Sequence, residues 1–125
     1  MTHRISDYLI RLKNAAMANL DIVEVSTSKL IEASSKVLKE EGYLDSFETK
    51  DGILTARLKK HSKKPILRDL KIVSKPGLRI YRDTDELSKV KGKSSWFLVS
   101  TSKGVISSKQ AIKNNVGGEV LAEIY

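Results

Sequence analysis

The sequence contains no cysteine, so it can form no disulfide, no thiolate nucleophile and no Cys-based zinc site. Its only two histidines, His3 and His61, are far apart and in no ligand spacing of the His-Glu-x-x-His kind. Both read as surface residues, and no metal is expected. The longest apolar runs are about four residues, as in Trp96 to Val99, against the roughly 20 that span a bilayer. No membrane helix is expected. Arg11 and Lys13 interrupt the apolar positions near the start, which argues against a secretory core and makes the cytoplasm the default compartment. No glycine lies five residues before a Gly-Lys-Ser/Thr triplet, and Lys103-Gly104 has the reverse order, so there is no phosphate-binding Walker loop. No Gly-x-Ser-x-Gly elbow sets a serine beside a base. The acid pairs Glu40-Glu41 and Asp85-Glu86 are adjacent in sequence and point in different directions rather than flanking a bond. Catalytic residues, cofactor and small-molecule substrate: none is expected.

What is present is positive charge on a chain able to fold. The 125 residues suit one domain or two very small ones, and with 40% hydrophobic residues they can bury a core. There are 23 Lys and Arg against 15 Asp and Glu, a net charge of +8. The excess sits in acid-free stretches: Gly52 to Arg68 holds Arg57, Lys59, Lys60, Lys63, Lys64 and Arg68, and Leu87 to Gly118 holds six lysines. Phosphate is the partner such stretches suit, because each cation that neutralises a phosphate releases a counterion. An anionic membrane would call for a basic amphipathic helix, whereas the clearest helices here are mixed in charge.

Ile5, Tyr8, Leu9, Leu12, Ala15 and Ala16 recur at helical spacing and predict a first helix from about Ser6 to Met17. Ile22 to Val25 alternates as a strand. Hydroxyls at 26–28 precede a second helix that carries Leu30, Ile31, Ser34, Val37 and Leu38 to Glu41, with Gly42 as its cap. A hairpin from Tyr43 to Leu58 turns at Asp51-Gly52. His61 to Pro65 breaks the pattern and predicts a loop or linker. Beyond it the spacing predicts strands at Leu70 to Val73 and Leu78 to Tyr81 about a Lys75-Pro76-Gly77 turn, then one helical turn within Asp83 to Val90. A strand over 95–100, a short helix from Ser107 to Asn114 and a last strand from Val120 to Ile124 complete the chain. The expected fold class is α+β: an N-terminal αβαββ lobe of residues 1–64 packed beside a mostly β lobe of residues 65–125.

The segment Ser100-Thr101-Ser102-Lys103-Gly104 puts three hydroxyls, a lysine and a glycine at the end of the most apolar strand. Hydroxyls and amides donate to phosphates and base edges, so the composition suits a loop entering a nucleic-acid groove; a Ser/Thr turn with a solvated lysine is the plainer reading. In Ser74 to Arg82, basic residues flank Tyr81, a ring that either stacks on a base or ribose or fills a half-buried strand face. Gly117-Gly118 either lets backbone approach a partner or only turns the chain.

In order, these segments resemble the small-subunit ribosomal protein family numbered eight, over nearly the whole chain. The resemblance rests on Ile5 to Ala15 with its Arg11-x-x-Asn14 ending, on Ser28-Lys29-Leu30 followed by Val37 to Tyr43, on Ser74 to Tyr81, on Ser100 to Val105, and on Gly117-Gly118-Glu119-Val120. The chain departs from the family's habit at His3-Arg4, over 91–96 and at Ser107-Ser108-Lys109. The resemblance implies a structural, non-enzymatic component of the small ribosomal subunit. It would bind a stem in the central domain of the small-subunit ribosomal RNA and touch neighbouring ribosomal proteins. It implies that Ser100, Thr101, Ser102 and Lys103 enter the minor groove of an irregular stem, with Gly104 allowing close approach and Tyr81 and Glu119 beside them. It implies also that Ser28, Lys29, Arg11 and Asn14 face the RNA backbone. The competing classes are a nucleic-acid-acting enzyme, using His61 or Glu119 as acid or base, and an RNA-binding translational repressor outside the ribosome.

Overall fold

The apolar stripe from Ile5 to Ala16 is buried along α1 (Thr2–Met17), in a computed structural model that describes residues 2–89 and 94–125. The helix begins four residues before the expected Ser6, because residues 2–4 are polar and add nothing to the stripe that betrays a helix. After β1 (Ile22–Ser26), the Ser28 hydroxyl accepts the Ile31 amide at 3.2 Å and caps α2 (Lys29–Glu40). That helix ends with Glu41 as its capping residue and Gly42 at φ +87°. The hairpin of β2 (Leu44–Lys50) and β3 (Ile53–Leu58) turns at Asp51 and Gly52, both at positive φ, and the first sheet runs β1-β3-β2 with antiparallel neighbours.

The segment expected as a loop at His61 to Pro65 is a second tight hairpin, β4 (Lys60–His61) and β5 (Lys64–Pro65), turning at Ser62 (φ 53°) and Lys63 (φ 68°). Without glycine, asparagine or aspartate at the turn, the sequence carries no signal for it.

The second sheet takes β6 (Leu70–Ile72), β7 (Tyr81–Arg82), β8 (Trp96–Thr101), β9 (Gly104–Ser107) and β10 (Gly118–Ile124) in the order β6-β10-β8-β9, with β7 also paired to β10. The strand expected over Leu78 to Tyr81 shrinks to Tyr81–Arg82: Leu78 closes the turn through reciprocal 2.9 Å bonds with Lys75 and stays exposed. The strand β9 was not expected at all. Its four residues follow the hydroxyl loop directly, so only their pairing with β8 reveals them. Short helices α3 (Thr84–Ser88) and α4 (Ser108–Lys113) are capped by Asp83, in a capping box with Glu86, and by Ser107. Val90 of the expected helical turn, and the departures at Lys91, Gly92 and Lys93, lie outside the described residues.

The second sheet is covered on both faces. Leu70, Trp96, Leu98, Ala122 and Ile124 join α1, α2 and the first sheet in one large core, while Val99 and Val120 pack with Leu87 of α3 and Ala111 of α4 in a smaller one. Central strands buried on both faces read as continuous apolar runs, which is why Trp96 to Val99 shows no alternation. Within β10 the pairing slips between Val120 and Ala122, leaving Leu121 as an extra residue. Val120 belongs to the small core, while Leu121 and Ala122 both face the large one. The α+β class expected from the sequence is the class observed.

One polar contact in the large core is testable by pH. The Tyr8 hydroxyl lies 2.6 Å from Ser35 Oγ, and Ser35 donates to the Ile31 carbonyl at 2.8 Å, so Tyr8 is the donor. Burial pushes the phenol up to about 12 from its ordinary 10.0, opposed by the hydrogen bond that the Ser35 hydroxyl donates to the phenolate once it turns away from Ile31. The folded state therefore favours the neutral form. That stability is complete below pH 10 and is lost as the pH rises through 12, by roughly 2 to 3 kcal/mol. The Tyr8→Phe variant is expected to start about 1 kcal/mol less stable at neutral pH, having lost one buried hydrogen bond. It should then lose less between pH 10 and 12 in urea titrations; parallel alkaline curves for the two proteins would refute this role of Tyr8.

Candidate nucleic-acid interface

The strands β8 and β9 are joined by Ser102 and Lys103, and the sequence determines how the turn closes. The Thr101 hydroxyl donates to the Gly104 carbonyl at 2.8 Å and accepts the Lys103 amide at 3.1 Å, and Gly104 takes φ +113°. The hydroxyl of Thr101 is thus consumed in shaping the loop. Those of Ser100 and Ser102 make no hydrogen bond among the described residues and remain free to donate. Ser102, Lys103 and Gly104 are exposed, and Ser100 and Thr101 half-buried.

Beside the turn, the pairing lays out a row. Ser100 of β8 stands opposite Glu119 of β10, and Glu119 opposite Tyr81 of β7. Residues directly opposite in an antiparallel ladder share a face, so the three side chains line up across three strands. Tyr81, at 61% exposure, presents its ring to solvent. Glu119 is only 9% exposed; one carboxylate oxygen lies 3.6 Å from the Arg79 guanidinium, and the other is buried with no hydrogen-bond partner among the described residues. A buried acceptor left empty costs free energy that a donor brought by a ligand would recover.

The segment that delivers Arg79, Tyr81 and Arg82 is held by Ser74. Its buried hydroxyl donates to the Val120 carbonyl at 2.7 Å and accepts the Ile80 amide at 3.0 Å. The Ile80 carbonyl in turn accepts the Val120 amide at 2.8 Å. Gly117 and Gly118 do serve a close approach, made to the chain's own strands: a β-carbon on Gly118 would run into the Ser100 carbonyl, and one on Gly117 would lie 2.5 Å from the Arg82 carbonyl oxygen.

The other expected residues are divided. Ser28 spends its hydroxyl on the helix cap. Lys29, exposed at the start of α2, shares with Ser28 and Arg4 the wall of a cavity of about 400 Å³. Arg11 lines an adjoining groove of about 550 Å³, to which Arg4, Asp7 and Glu24 also contribute. Its guanidinium is engaged by Asp7 at 3.4 Å and by the Glu24 carbonyl at 3.0 Å. Asn14 faces a different groove, of about 540 Å³, between α1 and β6, rimmed by Lys13, Lys71 and Lys75. Among the described residues no hydrogen bond, ion pair or shared cavity links these positions to the Ser100 loop.

Sequence reasoning missed Arg79, whose only signal was its place beside Tyr81, and Arg4, which lines both grooves at the start of α2. Among the described residues no three His, Asp or Glu side chains gather as a metal site, and no helix is long and apolar enough to cross a membrane.

Comparison with known proteins bears on the same segments. The sequence pattern of the family described as ribosomal protein S8 matches residues 3–125. Proteins named small ribosomal subunit protein uS8 align end to end: that of Alcanivorax borkumensis is 39% identical over 99% of this chain and 98% of its own. That of Rippkaea orientalis is 41% identical over 97% and 96%, and that of Ruminiclostridium cellulolyticum 39% over 100% and 98%. The hydroxyl turn, the serine-clamped Ser74 to Tyr81 segment and the paired glycines before Glu119 thus sit in a chain that matches at both ends, and the chain belongs to the ribosomal protein S8 family.

Proposed function

We propose that this protein is a structural, non-enzymatic component of the small ribosomal subunit. It binds a stem in the central domain of the small-subunit ribosomal RNA directly and helps assemble that region, beside neighbouring ribosomal proteins in the cytoplasm. The observation that carries the reading is the row Ser100, Glu119, Tyr81 next to a turn with two unspent serine hydroxyls. A groove edge of irregular RNA offers what this row lacks: acceptors for Ser100 and Ser102, a donor such as an amine or 2′-hydroxyl for Glu119, and a face for the Tyr81 ring. Lys103 and Arg79 add charge at the same place, and Gly104 lets backbone come close. In the lobe of residues 1–64, Lys29 and Arg11, with Ser28 beside Lys29, face RNA backbone, and Asn14 faces it from the separate groove between α1 and β6; the lobe of residues 65–125 reads the stem.

Two measurements test this. Co-sedimentation with small ribosomal subunits is expected to survive washing, and its absence would overturn the assignment. Binding to the central-domain stem should exceed binding to plain duplex RNA of equal length at every salt concentration. Equal affinities would reduce the interaction to backbone charge.

A further inference from the structure

The acid-free stretch between Gly52 and Arg68 is not used by that interface, and the structure gives it a defined shape. The hairpin β4–β5 is fastened at its base. The Lys59 amide donates to the Tyr43 carbonyl at 3.1 Å, and the Ile66 amide to the Lys59 carbonyl at 2.9 Å. Lys60 reaches back to the α1–β1 connection, with its ammonium 2.5 Å from the Asp21 carboxylate and 3.2 Å from the Asn19 carbonyl. That ammonium also holds the Asp21 carboxyl below the usual carboxylate range.

Opposite residues share a face, so Lys60 and Pro65 form one side of the hairpin and His61 and Lys64 the other, with Ser62 and Lys63 at the tip. Lys60 fixes the hairpin to the body. Lys59, Lys63 and Lys64 are exposed and make no ion pair among the described residues. The tip is also strained. Ser62 and Lys63 both adopt left-handed φ, which side-chain-bearing residues other than Asn and Asp avoid, and a glycine at either place would relieve it. A lysine standing where glycine would fit better, on a turn anchored through Lys60, points to use of its charge.

We propose that this hairpin is a further contact with RNA, in which Lys59, Lys63 and Lys64 neutralise backbone phosphates while Lys60 serves as the anchor. The inference rests on the RNA-binding reading above and extends it to a site that reads charge, not sequence. An acidic protein or a membrane is a poorer match, since the hairpin exposes no apolar side chain to anchor against either.

The test uses the full-length chain and the central domain of small-subunit ribosomal RNA. For the Lys63→Gln, Lys64→Gln double variant, the slope of log affinity against log salt should become shallower by about 1.4 to 1.8. Between 50 and 200 mM salt the variant should then lose roughly tenfold less affinity than the wild type. The ratio of affinities for the cognate stem and plain duplex should not change. Lys63→Gly should melt no lower than wild type and still flatten the slope by about one contact, which separates loss of charge from loss of fold. Superimposable slopes would overturn the proposal. So would a changed stem-to-duplex ratio, or normal RNA binding by a double variant that no longer sediments with small subunits, which would mark a protein contact. A wild type with no salt-dependent RNA binding would instead refute the RNA-binding reading itself.

Discussion

Replacing Gly118 by alanine is expected to destabilise the protein by about 3 kcal/mol, the upper end of what overpacking costs. In a chain of this size that is a fall in Tm on the order of 10 °C. The three atoms nearest the new β-carbon would all be backbone: the oxygen and carbon of the Ser100 carbonyl, the carbon 2.9 Å away, and the Thr101 α-carbon at 3.2 Å. No rotamer change can relieve that, because β8 is itself held between β10 and β9. Gly104→Ala is the informative comparison. A β-carbon there meets nothing within 4 Å, so its cost is the strain of φ +113° alone, about 1 to 2 kcal/mol. Thermal and urea unfolding of the two variants should rank Gly118→Ala clearly below Gly104→Ala. The reverse order would mean that β10 does not press on the hydroxyl turn as described.

For the Ser100→Ala, Ser102→Ala double variant, affinity for the central-domain stem is expected to drop roughly 100-fold, with binding to plain duplex unchanged. Two lost base-edge contacts at about 1 to 3 kcal/mol each account for a change of that size. Neither hydroxyl makes a hydrogen bond among the described residues, so the melting temperature should stay within a degree or two of wild type. Thr101→Val should behave differently. It removes both hydrogen bonds that close the turn, so loss of stem binding should come with lower thermal stability. An equal loss on stem and duplex in the serine double variant, or no loss on either, would show that the loop does not read the stem.

Much of the architecture was legible because local chemistry and tertiary context agree. The stripe from Ile5 to Ala16, the Ser28 cap and the Asp51-Gly52 turn each specify their element through neighbours within a few residues. The hairpin at Lys60 to Pro65 was not legible: nothing in Ser62-Lys63 favours positive φ, and the turn persists because Lys60 is fastened to Asp21 and Asn19, about forty residues away. Strand β9 escaped for a similar reason. Gly104 to Ser107 is a strand by virtue of its partner β8 and the core beneath Val105.

The interface divides along the same line. By itself the sequence determined the positive charge, the hydroxyl-rich turn and the family, since all three lie in residue types and their order. Only the tertiary structure decided which of those groups are free to act. It spends Thr101 and Ser28 on shaping a turn and a cap, ties Lys60 to Asp21, and leaves Ser100, Ser102, Lys63 and Lys64 open. It also decided that Tyr81, Glu119 and Ser100 stand side by side, although Tyr81 and Glu119 are nearly forty residues apart in the chain. The physical reason is that strand register is a property of paired backbones and the cores that cover them. No local residue pattern within β7, β8 or β10 encodes which neighbour each will face.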